Sequence, residues 1–507
     1  MPKQDVVCDH LEKRRMRIAV ATGLPGTWLP GVMANCTHNE IAALKLRSLA
    51  PNVQVEALGP GFRSCFGKLR RLVRAFDAVP WDHLSTAMSY EGSLRRRYLE
   101  AERSLRDDGP VSSGDVVLRA FLKGEKHGHD KLAKPRLIFP RSPRYNLAVA
   151  SYLKPLEHWL WGYLTAPRLF KGGVGRVVGK GLSPRQRANL IVRKFQSFED
   201  CVVMEVDGKA FEAHVSMLQL TQEHSVYLSA YHGDKSLHSL LRHQLRLKGV
   251  TSNGVKFSRV GGRASGDFNT GMGNTLIMLA AVVGALKGEV KFDTLVDGDN
   301  ALLFVSKCDL PWLLNNFGRK VFVETGHEMT LERPVSFLEG VRFGRSAPVF
   351  LGHGLGWTMC RDPRAVLSGA FASHRWLKEP IFASRWCNGV ARCELSLAVG
   401  LPIVQVFARQ VFRKTQTLKK APVEALRDYF VIGGWLAGEE VFRQPTVECR
   451  LSYARAFGIS AEEQGAWEAH LLEVEPRFDF PSFPCPDPRV WWNAEPGLLE
   501  SRMSVRM

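Results

Sequence analysis

Two short apolar runs in this 507-residue chain each end in a carboxylate, and carboxylates so placed can hold divalent metal beside a phosphate. Thr294–Val296 leads into Asp297-Gly298-Asp299-Asn300 and on into Ala301–Phe304. A Gly in a short polar tip between apolar flanks reads as a β-hairpin. Upstream, Cys201–Val206 runs into Asp207, with Phe211-Glu212 just beyond. Two-metal phosphoryl transfer needs ions roughly 3.5–4 Å apart sharing carboxylates, so that the attacking and leaving oxygens are both stabilised. Hard oxygen donors suit Mg²⁺ or Mn²⁺. Each residue also has a plainer reading: Gly298-Asp299-Asn300 suits a solvent-facing turn, and Asp207 suits the cap of a following helix.

Between the two Asp residues, Gly262-Arg263-Ala264-Ser265-Gly266-Asp267-Phe268-Asn269-Thr270-Gly271-Met272-Gly273-Asn274 leads into the apolar stretch Thr275–Leu286. The pattern predicts a Gly-rich loop opening a helix, with Thr270 and Asn274 on one face. Small loop residues let a sugar or phosphate come close to backbone amides. No Gly-x-x-x-x-Gly-Lys-[Ser/Thr] spacing occurs, which excludes a P-loop. Lys171 to Gly181 fits neither that spacing nor a dinucleotide fingerprint and reads as a flexible basic loop.

In order and spacing, Asp207, then Ser265-Gly266 with Thr270 and Asn274, then Gly298-Asp299-Asn300 resemble motifs A, B and C of RNA-dependent RNA polymerases. The resemblance is to the tombusvirus-like group of positive-strand RNA viruses. Phe211-Glu212-Ala213-His214-Val215-Ser216 and Glu223-His224-Ser225-Val226-Tyr227 are similar to that group's extended motif A. Lys134-Pro135-Arg136 through Asn146 is similar to its motif F, and Glu332–Val335 with Leu338–Phe343 to its motifs D and E. The resemblance runs from about residue 118 to 368.

The resemblance implies an α+β right-hand polymerase. Its fingers would occupy residues 1–200, with motif F at 118–146 and an insertion at 233–261. The palm, an antiparallel sheet backed by helices, would occupy 201–232 and 262–368. A mainly helical thumb and tail would fill 369–507. The implied activity is template-directed transfer of ribonucleotides to an RNA 3′-hydroxyl, replicating a positive-strand genome. Asp207 and Asp299, with Asn300, would carry Mg²⁺ or Mn²⁺. Lys123, Lys126, Arg136 and Arg141 would hold the triphosphate, a role that suits the paired donors of Arg. Glu212, Ser265, Gly266, Thr270 and Asn274 would help to bind the nucleotide and to read the 2′-hydroxyl that marks RNA precursors. The implied partners are RNA template and product, nucleoside triphosphates and a viral replication protein, with the chain in host cytoplasm at membrane-associated replication complexes. A catalytically inactive RNA-binding scaffold is the alternative from another class. Reverse transcription is a weaker one, because the Ser265-Gly266, Thr270 and Asn274 pattern speaks against it.

The sequence departs from the implied pattern at three positions. Glu212 stands where the family carries Asp, placing its carboxylate further out by a methylene. Thr330 stands where motif D often carries Lys, and Lys320 is a weak substitute. Asn300 stands where the family has the second Asp of Gly-Asp-Asp, which removes one negative charge beside the expected metals. Asp297, two residues from Asp299, could share its strand face and partly compensate, or serve a structural role.

Composition agrees with a polyanionic substrate: 69 Lys and Arg against 50 Asp and Glu give a net charge of +19. The longest apolar run is too short to span a bilayer, and the N-terminus lacks a signal-peptide core. The ten cysteines are scattered without metal-finger spacing and are expected as free thiols. Apolar residues from Phe66 to Phe76 recur at helical spacing among basic ones, predicting a helix packed on the fingers or lying on a membrane surface. Helical patterns fill residues 369–475, and Pro476–Pro488 is expected to lie extended over another surface.

Overall fold

The apolar runs that flank Asp207 and Asp299 fold into adjacent strands of one antiparallel sheet. The computed structural model describes residues 14–50, 53, 55–128, 134–417, 419–483, 485 and 504–506. In chain order the strands are β1 (Arg17–Ile18), β2 (Leu118–Leu122), β3 (Leu137–Ile138), β4 (Cys201–Gly208), β5 (Arg246–Thr251), β6 (Lys256–Val260) and β7 (Phe292–Asp297). They continue with β8 (Asn300–Ser306), β9 (Met329–Leu331), β10 (Ser346–Phe350), β11 (Trp357–Arg361), β12 (Ala372–Ser373) and β13 (Ser504–Arg506).

The site-bearing sheet has the order β7-β8-β4-β9. Its register sets Asp207 opposite Asn300 on one side and Thr330 on the other. Side chains alternate between two covered faces, which is why the strands read as unbroken apolar runs. Met204, Val206, Ala301, Leu303 and Val305 join the main core with the helices Pro60–Val73, Met217–Ala230, Thr270–Leu286 and Leu310–Thr325. Cys201, Val203, Leu302 and Phe304 face the helix Pro184–Gln196 together with Phe343 and Met359. On this second face the last positions of β4 are Glu205 and Asp207, only half-buried. The chain therefore turns from apolar to acidic where the strand runs into the cleft.

The helix Thr270–Leu286 is buried on nearly all sides. Its Gly284 meets Gly61 of the helix Pro60–Val73 so closely that a Cβ at 284 would stand 2.7 Å from the Phe62 amide nitrogen. That helix turns Phe62, Phe66, Leu69 and Val73 inward and leaves Arg63, Arg71 and Arg74 exposed. Its apolar face is consumed by packing on the sheet-backing helices.

A second sheet, β13-β6-β5-β2-β3, joins the motif F segment to residues 246–260. β2 and β5 pair in parallel at Leu118 and Gly249, where a Cβ on Gly249 would collide with the Leu118 backbone. Beyond residue 369 the helices Pro380–Leu397, Val404–Lys414, Val423–Val431, Val447–Phe457 and Ala461–Leu471 share a core around Trp386, Phe407 and Tyr453.

Residues 14–36 reach well beyond the segment that follows them. β1 pairs with β12, Met16 pairs with Phe483, and Gly31 pairs with His127, so this stretch straps the C-terminal helices to the β2 region. The part of the Pro-rich tail within the described residues lies along that strap, and residues 484 and 486–488 fall outside them. The segment Lys171–Gly181, expected as a flexible loop, is instead built onto the sheet edge. Val178 bridges Val296, and Val174 N donates to Asp293 at 2.8 Å. Among the described residues no helix is long and apolar enough to cross a membrane. The described cysteines are free thiols, and all but Cys308 are buried.

Candidate active site

Asp299 sits in a two-residue hairpin turn whose ends, Asp297 and Asn300, are paired. Gly298 has φ +65°, the left-handed first position that matches the twist of the flanking strands and that a side chain would strain. Gly298 N donates to Thr275 Oγ1 at 3.0 Å, and Gly208 N donates to Asp299 O at 3.1 Å. The tip is thus tied both to the helix Thr270–Leu286 and to the end of β4. Asp297 is taken by Lys180 Nζ at 3.0 Å and Arg187 Nη2 at 2.8 Å. It faces a different cavity, between residues 180–187 and 397–433, and does not supplement Asp299.

A cavity of about 830 Å³ opens at the end of the sheet. Asp207, Asp299, Asn300, Glu205, Glu212, Thr330 and Glu332 line its acidic side. Arg47, Lys123, Arg136 and Arg345 supply its basic side, and Ser265 and Thr270 lie between. Burial, and then the negative charge of Asp299, push the Asp207 carboxyl up to about 6. Burial, Glu332 and Asp207 push Glu205 up to about 7. Burial likewise raises Glu212, against the pull of Arg136. Carboxylates crowded in this way gain most from an added cation. The donor set of Asp207, Asp299 and the Asn300 amide oxygen is all oxygen, which fits a hard divalent ion. Among the described residues, no three His, Cys, Asp or Glu side chains converge into a complete cage. Mg²⁺ is commonly held by one or two carboxylates with substrate phosphates filling the rest of its shell.

The turn after β4 aims Glu212. Ala210 adopts φ +45°, an unfavourable conformation for a residue with a Cβ. Three contacts hold it: His214 Nδ1 lies 3.1 Å from Ala210 O, Lys209 N donates to Glu328 O at 2.9 Å, and Phe211 stacks on His327 at 4.4 Å between centroids. Gly208 leaves room for the Phe211 ring, with which a Cβ would collide. Ser216 then caps the helix Met217–Ala230. The Phe-x-x-His-Val-Ser run is therefore a clamp that turns the chain from strand to helix.

A profile describing viral RNA-dependent RNA polymerases matches residues 6–478. The chain belongs to that family. It is 31% identical over 488 residues to the RNA-directed RNA polymerase of tobacco necrosis virus (strain A), covering 92% of this chain and 65% of the relative. It is 31% identical over 427 residues to that of carnation mottle virus, covering 81% and 54%. For turnip crinkle virus the figures are 32% over 425 residues, covering 81% and 53%. The chain thus spans between about half and two thirds of the length of these relatives.

In this polymerase-family chain the cavity gathers Asp207, Asp299, Asn300, Lys123, Arg136, Glu212, Ser265 and Thr270. Four other expected site residues lie elsewhere. Arg141 is buried, and its Nε donates to Asp267 at 2.8 Å. Asn274 is buried and accepts from Arg263 Nε at 2.9 Å. Gly266 packs on the Phe139–Pro140 backbone, leaving no room for a Cβ. Lys126 Nζ reaches Gly369 O, away from the cavity. Lys320 pairs with Glu289, also outside the cavity. Arg141 and Asn274 face inward because each completes a polar group that packing has removed from water.

Beneath the Gly-rich loop, Glu223 accepts from Arg263, from Asn269 at 2.8 Å and from Tyr227 at 2.8 Å. Gln244 and Asn269 exchange amide hydrogen bonds at 2.8 and 2.9 Å. Arg263 N also donates to Glu212 O at 2.9 Å. This network fixes the loop against the Glu212 turn. Arg47, Arg345 and Glu205 were not among the expected site residues. Arg345 sits at φ +60° in the tight hairpin Phe343-Gly344-Arg345-Ser346, and the sequence carries no local signal that its side chain reaches the cavity. Arg47, far from every motif, carries none either.

Proposed function

We propose that this chain catalyses RNA-directed RNA synthesis, with fingers, palm and thumb formed by the β2–β6 sheet region, the β7-β8-β4-β9 sheet and the C-terminal helices. One observation carries the proposal: the sheet register brings Asp207 beside Asn300 and the Asp299 tip, in a cavity whose other side presents Lys123 and Arg136. Lys123 and Arg136 bind the triphosphate by charge-assisted hydrogen bonds, with Arg47 and Arg345 adding to the positive field. Glu212, Ser265 and Thr270, which line the cavity, would contact the ribose. Ser265 Oγ donates to Leu137 O at 3.0 Å, and Thr270 Oγ1 donates to Ala264 O at 2.7 Å, so both oxygens are oriented before substrate arrives. Asn274, Arg263 and Arg141 act as positioning residues, holding the loop that carries Ser265.

Asp207 and Asp299, with the Asn300 amide oxygen, would hold Mg²⁺ or Mn²⁺. When bound there, these ions supply positive charge to the attacking 3′-oxygen and the departing pyrophosphate. The reaction forms the O3′–Pα bond as the bond from Pα to pyrophosphate breaks. Pairing with a template RNA would select the nucleotide, and both strands of a positive-strand genome would be made this way, in cytoplasmic replication complexes that a viral partner protein brings to membranes.

Primer extension on an RNA template tests this reading, comparing Mg²⁺ with Mn²⁺ and ribonucleotides with deoxynucleotides. Incorporation of ribonucleotides that Asp207→Asn and Asp299→Asn both abolish is the expected result. RNA binding that survives those changes, with no synthesis by the unmutated chain in either metal, would overturn it in favour of a non-catalytic scaffold.

A further inference from the structure

An acid stands against two of the cations on the basic side of the cavity, without itself lining it. Glu125 Oε1 stands 2.7 Å from Lys123 Nζ and 3.4 Å from Arg136 Nη1, so one carboxylate oxygen serves both cations. Its segment is pinned. Lys123 N donates to Arg136 O at 2.8 Å, and His127 and Gly31 exchange backbone hydrogen bonds at 2.8 and 2.9 Å. Gly124 packs so closely on His374 that a Cβ would enter its ring. Glu125 is therefore a fixed charge beside the phosphate-binding heads. Burial alone would raise its carboxyl, but Lys123 and Arg136 outweigh burial and hold it below its ordinary value, so it is ionised at neutral pH.

A wall of Arg47, Lys123, Arg136 and Arg345 without an acid would bind the substrate triphosphate and the pyrophosphate product alike. Binding that tightens both adds nothing once substrate saturates, and it slows product release. We infer that Glu125 is a built-in counter-anion of the triphosphate site, competing with phosphate oxygens for Lys123 and Arg136 so that pyrophosphate leaves after each addition. This role rests on the polymerase reading above, and it makes Glu125 a positioning residue that acts through the two cations.

The test uses the full chain and Glu125→Gln, which keeps the shape and an acceptor oxygen but removes the charge. The KM for nucleotide and the inhibition constant for pyrophosphate fall together, roughly three- to tenfold, as expected for removing one charge beside a polyanion. kcat falls with them, while the thermal midpoint holds. Calorimetric titration with inorganic pyrophosphate shows the same gain without turnover, and Arg136→Ala in the Glu125→Gln background abolishes it. Glu125→Asp, which keeps the charge but withdraws it, falls between. A KM that rises in a folded Glu125→Gln chain overturns the proposal, because Glu125 would then only orient Lys123; so do unchanged constants. If the unmutated chain extends no primer with either metal, the polymerase reading fails. A working enzyme indifferent to Glu125→Gln sinks the counter-anion alone.

Discussion

The cations of the interior and those of the cavity wall are the same residue types under opposite conditions. In the interior, Lys194 meets Asp293 at 2.7 Å with both side chains 0% exposed, and Arg141 and Arg263 are buried against Asp267 and Glu223. On the wall, Lys123 and Arg136 are 43% and 36% exposed and share one acid. Arg345 lines the same wall, with no hydrogen bond or ion pair among the described residues. A desolvated cation that is paired with a carboxylate depends on it, since removing either partner strands a buried charge. A half-exposed cation keeps water as an alternative partner and can exchange it for phosphate. Burial, rather than residue type, separates the cations that hold the fold from those free to hold a ligand.

Neutralising an acid of the cavity separates the two sets most sharply. Asp207→Asn or Asp299→Asn should lower nucleotide incorporation by about 10³-fold or more. The melting temperature should hold or rise slightly, because a like-charge repulsion is removed. In the interior the expectation reverses. Arg263→Met leaves the buried Glu223 carboxylate with only the neutral donors Asn269 and Tyr227 and should destabilise the chain by about 3–5 kcal/mol in denaturant titration. Adding Glu223→Gln should recover part of that loss, and a loss below about 1 kcal/mol for Arg263→Met would break the comparison.

Arg136→Ala should raise the KM for nucleotide about tenfold or more, through loss of charge-assisted bonds worth about 1.5–3 kcal/mol. Its melting temperature should stay close to that of the unmutated chain, and a large fall would place Arg136 among the interior cations. The smallest effect concerns protons. Burial and Asp299 raise Asp207 to about 6, so the metal-free fold binds a proton more tightly than the unfolded chain does. Asp207 then favours the metal-free fold increasingly as pH falls through about 6, and disfavours it above that value. A divalent ion competes with that proton, so the Mg²⁺ needed for half-maximal synthesis should climb as pH drops below about 6. Asn300→Asp should lower the Mg²⁺ requirement several-fold at neutral pH, because it restores a charged donor. An unchanged requirement would place the residue 300 side chain outside the metal shell.

The comparison also explains which residues were legible. Asp207, Asp299 and Asn300 lie on strand ends flanked by apolar runs, and alternation with a turn signal predicts their placement locally. Lys123 and Arg136 follow from the motif F resemblance, which could not separate them from Arg141 or Lys126. All four are basic residues on one short stretch, and what distinguishes them is a long-range partner: Asp267 for Arg141, and the Gly369 carbonyl for Lys126. Asn274 was legible as part of the helix start, but its engagement with Arg263 depends on how the loop folds back over Glu223. The pinning of Lys171–Gly181 was missed because its central anchor, Asp293, lies far along the chain and is itself held by Lys194.

The sequence by itself determined the mixed α+β architecture, the strand–turn–strand that carries Asp299, the family to which the chain belongs and the basic character of the protein. These rest on local periodicity and on residue order, which survive without knowledge of distant contacts. Only the tertiary structure decided that Asp297 belongs to Lys180 and Arg187, that residues 14–36 strap two regions together, and that Arg47 and Arg345 reach the cavity. Whether a charged side chain is desolvated and which partner it meets depend on elements brought together across hundreds of residues, and the chain carries no local signal of either.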